Sequence, residues 1–185
     1  MLLYDSLSEK KKTLIKPAKG PLKLFVCGPT VYDQTHIGHA RTYIVFDTLV
    51  KYLRSQGTKV FYLQNITDID DKIINRAKLK KQDPKKLAQQ FEKEYQQDMK
   101  ALGVNSVDKY ARASAHLAQI KKQINTLIKK GFAYEVENGV YFEIKKFPRY
   151  GQLSKQNLSE LRAGWRIDPD PQKKDPIDFA LWKKT

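Results

Sequence analysis

Apolar positions fall in short clusters separated by charged stretches, and each cluster has a readable period. Leu22, Leu24, Phe25 and Val26 form a compact run, followed by Gly28-Pro29 and then the tetrad His36-Ile37-Gly38-His39. That order predicts a strand, a turn and a helix start. Ile44, Val45, Leu49, Tyr52 and Leu53 recur at helical spacing over 40–55, with Gly57 as a stop. Residues 58–65 are rich in β-branched and aromatic side chains and predict a second strand. Strand, helix and strand make one βαβ unit, whose crossover is right-handed as a rule.

Further on, Thr67 is placed as the N-cap of a helix that buries Ile69, Ile73, Ile74 and Ala77. Asp83-Pro84 supplies a cap and a first-turn proline for another helix, with Leu87, Phe91, Tyr95, Met99 and Leu102 inward until Gly103. A further helix over 115–130 carries Leu117, Ile120, Ile124, Leu127 and Ile128 and stops at Gly131 after two lysines. Residues 132–136 and 140–144 flank Asn138-Gly139, a strong hairpin signal. A polar stretch to Ala163-Gly164 and a Pro/Asp/Lys loop over 168–176 follow, and residues 177–182 turn apolar again, as if re-entering a core. Residues 1–19 read as an extended lead-in, punctuated by Pro17 and Gly20-Pro21. The pattern as a whole is α/β, without internal repeats.

Composition narrows the class. With 185 residues, 41% of them hydrophobic, the chain can form one domain, or one domain plus a small insertion. Its single cysteine, Cys27, forms no internal disulfide and fits a reducing compartment. No apolar run is long enough for a signal peptide or a membrane span, so the expected location is cytoplasmic, with no membrane partner. The formal charge of +15 is carried mostly by lysine. Such charge attracts polyanions, while lysine-rich faces also serve solubility, so it admits RNA as a partner without identifying it.

The chemistry concentrates in residues 22–41. The carboxyl end of a strand feeding a helix is where ligands collect in α/β sheets. His36 and His39 lie near one face, and Gly38 between them lets a phosphate or a flat ring approach the backbone. Imidazole donors beside helix N–H groups would stabilise charge gathering on phosphorus. The structural alternative is a helix start that merely contains histidine. Cys27 is either a buried, inert strand cysteine or one thiolate of a zinc site, which wants about four ligands. Recruiting His36 and His39 to that zinc would take them from phosphate. Asp68, Asp70 and Asp71 are expected to complement a helix dipole rather than hold magnesium. Thr67 is placed to do more than cap. Tyr32, Tyr43, Tyr52, Phe61 and Tyr62 read as core or rim, and the lysine pairs as solvated faces.

Beyond the tetrad, longer runs carry a family resemblance. Val26-Cys27-Gly28-Pro29-Thr30-Val31-Tyr32-Asp33, His36 through Arg41, Asn65-Ile66-Thr67-Asp68-Ile69-Asp70-Asp71-Lys72-Ile73, Tyr150-Gly151-Gln152-Leu153-Ser154, Ala163-Gly164 and Asp175-Pro176-Ile177-Asp178-Phe179-Ala180-Leu181-Trp182-Lys183 resemble, in order, the amino-terminal part of the cysteinyl-tRNA synthetases, a class I aminoacyl-tRNA synthetase family. The resemblance implies a Rossmann-like parallel sheet with a small α+β connective insertion. Residues 1–112 would be the first half of the nucleotide-binding catalytic domain, 113–175 the insertion, and 176–185 the start of a return into the catalytic domain.

The implied activity is ATP-dependent formation of cysteinyl-adenylate and transfer of the cysteinyl group to tRNA(Cys), with Mg2+ accompanying ATP. His36 and His39 would be catalytic. Gly28, Pro29, Thr30, His36, Ile37, Gly38 and His39 would bind ATP, and Gly28 and Thr67 would line the cysteine pocket. Cys27 would be one ligand of a Zn2+ ion that binds the substrate thiolate, which rejects serine without editing. Two departures stand out: Ala111-Arg112-Ala113-Ser114 where the family commonly has Pro-Arg-Ala-Thr, and Trp165 where a small residue is usual. By the same resemblance, the family's second catalytic half, with the remaining zinc ligands, and its anticodon-binding region are expected to lie outside these 185 residues. An incomplete enzyme, inactive alone and a monomer when full length, is therefore expected, with an exposed apolar sheet edge that favours aggregation. The alternatives are a non-catalytic tRNA-binding module derived from a synthetase, and a ligase joining cysteine to an amino sugar.

Overall fold

In the computed structural model, which describes residues 1–156 and 170–184, two strands arise where only an extended lead-in is expected. β1 (Leu2–Asp5) and β2 (Lys10–Thr13) pair antiparallel. The turn between them is built by Asp5, whose carboxylate accepts from the Ser8 N–H at 3.2 Å and from its hydroxyl, and takes an ion pair from Lys12 at 2.7 Å. Glu9 completes the reversal at φ 57°. Short polar side chains bonding their own backbone in this way mark turns.

The chain divides into two compact units, Ile15–Leu117 and Met1–Leu14 with Ala118–Thr185. The first is built on a parallel sheet of β3 (Leu22–Val26), β4 (Val60–Ile66) and β5 (Lys109–Arg112), in the order β3-β4-β5. Leu22 stands opposite Val60, and Leu63 opposite Lys109. The helix α1 (Ile37–Ser55) joins β3 to β4, while α2 (Asp71–Leu79) and α3 (Pro84–Ala101) lie between β4 and β5. The predicted βαβ unit is present. β5, Lys-Tyr-Ala-Arg, carries no apolar run of its own and is a strand because β4 offers it a partner.

Burial on β4 alternates with the period of a strand: Val60, Tyr62, Gln64 and Ile66 are buried, their neighbours less so. Tyr95 of α3 donates to Gln64 Oε1 at 2.7 Å, and the Tyr43 ring of α1 meets the Tyr95 ring edge-on at 5.5 Å. Leu87, Phe91, Tyr95 and Met99 form the buried stripe of α3, and Ile73 and Ala77 that of α2. Leu102 and Ile69, both expected inward, are exposed. Leu102 is already the C-cap of α3, with Gly103 turning the chain at φ 74°, and Ile69 precedes α2. Buried Asp47 on α1 accepts the N–H groups of Asn105 at 2.9 Å and Ser106 at 2.8 Å and pairs with Lys51 at 2.6 Å, which fastens the turn after α3 to α1.

In the second unit, α4 (Leu117–Lys129) lies against an antiparallel sheet of β6 (Ala133–Val136), β7 (Gly139–Phe142) and β8 (Phe179–Lys183). Ile120, Ile124, Leu127 and Ile128 pack with Ala133, Val140, Leu181 and Trp182. The predicted hairpin forms, but its turn residues are Glu137 and Asn138, since Gly139 already pairs with Val136. A Cβ on Gly139 would lie 2.3 Å from the Trp182 carbonyl oxygen, so glycine permits the close approach of β8. Residues 179–183, within the segment 176–185 expected to start a return into the catalytic domain, form the third strand of this sheet and pair antiparallel with β7. Ala163-Gly164 and Trp165 lie outside the described residues. Among the described residues no helix is long and apolar enough to cross a membrane.

Candidate active site

Residues 27–36 run over the carboxyl ends of β3 and β4 before α1 begins. Their path is fixed by main-chain bonds to one residue: Thr67 donates its N–H to Pro29 O at 3.0 Å and accepts the Val31 N–H at 3.2 Å. Thr30 and Thr67 thus extend the β3–β4 pairing by one bridge. Thr67 is therefore not the N-cap of α2. Asp70 takes that place, its Oδ1 accepting the Lys72 N–H at 2.8 Å. The loop is also tied to the helices, through Asp33 with Arg76 of α2 and the Thr35 hydroxyl donating to Asp98 of α3.

Two histidines organise the start of α1. His36 is the N-cap: its Nδ1 accepts the Gly38 N–H at 3.1 Å, and its own N–H donates to His39 Nδ1 at 3.3 Å. The two rings lie 4.0 Å apart at 36°. A backbone N–H can only donate, so each Nδ1 carries a lone pair, and each neutral ring keeps its proton on Nε2. Burial first, and the neighbouring His36 second, hold the His39 pKa below the usual histidine value. No acidic residue occupies the first turn of α1, so nothing on the helix itself competes for its positive end. Neutral Nε2–H donors beside that end suit an anion.

Cys27 is exposed, which removes the inert-core alternative. The hydroxyl of Tyr43, whose pKa burial pushes up to about 12, donates to the Cys27 carbonyl at 3.3 Å. Gly28 donates its N–H to Asn65 Oδ1 at 2.8 Å, and a Cβ there would lie 1.7 Å from the Asn65 carbonyl oxygen. Among the described residues no three His, Cys, Asp or Glu side chains converge to hold a metal, so Cys27, His36 and His39 do not form a local zinc site. The acidic run is structural. Asp68 accepts from the Ser114 N–H at 2.9 Å and from its hydroxyl, Asp70 caps α2, and Asp71 lies in that helix's first turn. Ser114, one of the departures from the family pattern, supplies the hydroxyl this bond requires.

Sequence reasoning did not single out Asn65, Asp98 or the bond from Tyr43. A polar residue at the carboxyl end of a strand, just before Thr67-Asp68, is the one available signal, and it points to Asn65.

The parallel sheet with this loop and helix start is the catalytic fold of class I aminoacyl-tRNA synthetases. A LeuRS–tRNA–LeuAMS ternary complex from Agrobacterium radiobacter K84 superposes with a TM-score of 0.57 at 23% identity, covering 71% of this chain and 18% of that one. A Mycobacterium tuberculosis methionyl-tRNA synthetase bound by methionyl-adenylate gives 0.56 at 23%, covering 62% and 23%. The model of the family described as tRNA synthetases class I (C) catalytic domain matches residues 14–185, and the chain belongs to that family. Cysteine–tRNA ligases of Thermoplasma volcanium and Pyrococcus horikoshii are each 50% identical to it, over 184 and 183 residues. Those alignments cover 100% and 99% of this chain but 40% and 38% of the relatives, so the chain spans about 40% of their length.

Proposed function

We propose that residues 27–39 together with Thr67 form one wall of a site that activates cysteine with ATP, the first step of a cysteine–tRNA ligase reaction. The observation that carries this reading is the reciprocal capping of α1 by His36 and His39, which leaves two Nε2–H donors beside a helix N-terminus with no acidic residue in its first turn. In the reaction a cysteine carboxylate oxygen attacks the α-phosphorus of ATP, the bond to the β-phosphate oxygen breaks, and pyrophosphate leaves. Charge rises on the phosphoryl oxygens, and the two imidazole donors with the positive dipole end of α1 stabilise it. Pro29, Thr30, Ile37 and Gly38 would flank the nucleotide. Gly28 and Thr67 would face the amino acid.

Mg2+ would accompany ATP. Cys27 would donate one thiolate to zinc, which when bound selects a thiol over a hydroxyl. The described residues do not complete that site, and no step here depends on it. The net charge of +15 favours a tRNA partner in the second step.

The test is pyrophosphate exchange into ATP by the intact polypeptide that carries this chain, with cysteine or serine as the amino acid. Exchange with cysteine and none with serine is the expected result. Absence of cysteine-dependent exchange in a preparation that folds overturns the reading.

A further inference from the structure

The carbonyl of Cys27 and the N–H of Gly28 belong to one peptide plane, and side chains from two elements hold both ends of it. Tyr43 of α1 donates to the carbonyl at 3.3 Å, and Asn65 of β4 accepts the N–H at 2.8 Å. Rotating the plane breaks both bonds, so the direction in which the exposed Cys27 side chain leaves the backbone is set from α1 and β4 together. The Gly28 N–H can only donate, which fixes the Asn65 amide with its oxygen toward Gly28 and its nitrogen toward Thr67, where Nδ2 donates to Oγ1 at 3.3 Å. That bond occupies one lone pair of the Thr67 hydroxyl and leaves its proton free to be donated elsewhere. The arrangement depends on glycine at 28, since a Cβ would collide with Asn65.

We propose that Asn65 is a positioning residue that couples the Cys27 thiol to the Thr67 hydroxyl in the amino-acid pocket. The inference rests on the cysteine-activating role proposed above. Asn65→Ala removes both bonds. Asn65→Asp keeps the acceptor for Gly28 and loses the donor to Thr67. β4 itself is held by its pairing with β3 and β5, so neither change need unfold the sheet.

The test has two arms. In the 185-residue chain Cys27 is the only thiol, and its alkylation rate with chelator present reports the clamp directly. The rate should change severalfold in Asn65→Ala and stay near wild type in Asn65→Asp. In pyrophosphate exchange by the intact polypeptide, both variants should raise KM for cysteine, Asn65→Ala by about tenfold, with KM for ATP within about twofold. In a Thr67→Val background, Asn65→Asp should add less than about twofold, because the bond it loses is already gone. Unchanged alkylation in Asn65→Ala, or a parallel rise in KM for both substrates, overturns the proposal. A wild-type polypeptide without exchange would overturn the cysteine-activating role instead, and the alkylation arm would still decide whether Asn65 holds Cys27.

Discussion

The main-chain N–H of His36 donates to His39 Nδ1 at 3.3 Å, so the second histidine of the tetrad holds the first, while the first caps the helix that carries the second. Capping and anion binding are separable properties of His36. His36→Ala should lower stability by about 1 kcal/mol, the usual loss for an N-cap, and weaken ATP binding. His36→Ser should recover most of the stability, because a hydroxyl oxygen can accept the Gly38 or His39 N–H, but none of the binding. Urea midpoints and ATP titrations on the same three proteins check both halves of this prediction.

Acidification should weaken the site through His39. Its folded-state pKa lies below the unfolded value of about 6.5, with burial the first cause and His36 the second. The unfolded chain therefore takes up the proton first. The contribution of the neutral ring is fully present above the unfolded pKa and is lost as pH falls through the folded value. Denaturation midpoints followed from pH 7.5 down to 5 should fall more for the wild type than for His39→Asn, which keeps an acceptor but does not titrate. Equal slopes would contradict the placement of His39.

Gly28→Ala places a methyl group 1.7 Å from the Asn65 carbonyl oxygen. The end of β3 must move, at a cost of about 3 kcal/mol or more. The chain should melt at a markedly lower temperature, with Cys27 altered in its alkylation rate.

Asp47 has a purely architectural role. Burial raises its pKa, but Lys51, then Ser106 and Asn105, outweigh that and bring the net value below normal. Asp47→Ala strands two N–H groups and should cost about 2–3 kcal/mol, whereas Asp47→Asn keeps an acceptor and should cost about 1 kcal/mol. Chemical denaturation of the two variants distinguishes them.

The amphipathic elements were legible from the amino-acid pattern because each carries a local signal: β4 concentrates β-branched and aromatic side chains, and α3 repeats an apolar residue every fourth position. What was not legible depends on partners distant in sequence. β5 is a strand only beside β4, and Thr67 reads as a cap until its main chain is seen to pair with Pro29 and Val31, which leaves Asp70 to cap α2. The tetrad was visible as a motif, but the clamp on the Cys27–Gly28 peptide joins residues 27, 28, 43 and 65, and no local rule brings those together. Asn138-Gly139 marked a hairpin correctly and its turn wrongly, since the glycine answers to Trp182 rather than to φ.

The most direct measurement of the central claim is an ATP titration of the 15N-labelled chain, following the amides of Gly38 and His39, in the wild type and in the double variant His36→Ser, His39→Asn. The account predicts saturable shifts at those two amides in the wild type and a loss of affinity of about tenfold or more in the double variant. Wild-type amides that do not respond to ATP, or a double variant that binds it equally well, would contradict the assignment of the tetrad to the ATP phosphates.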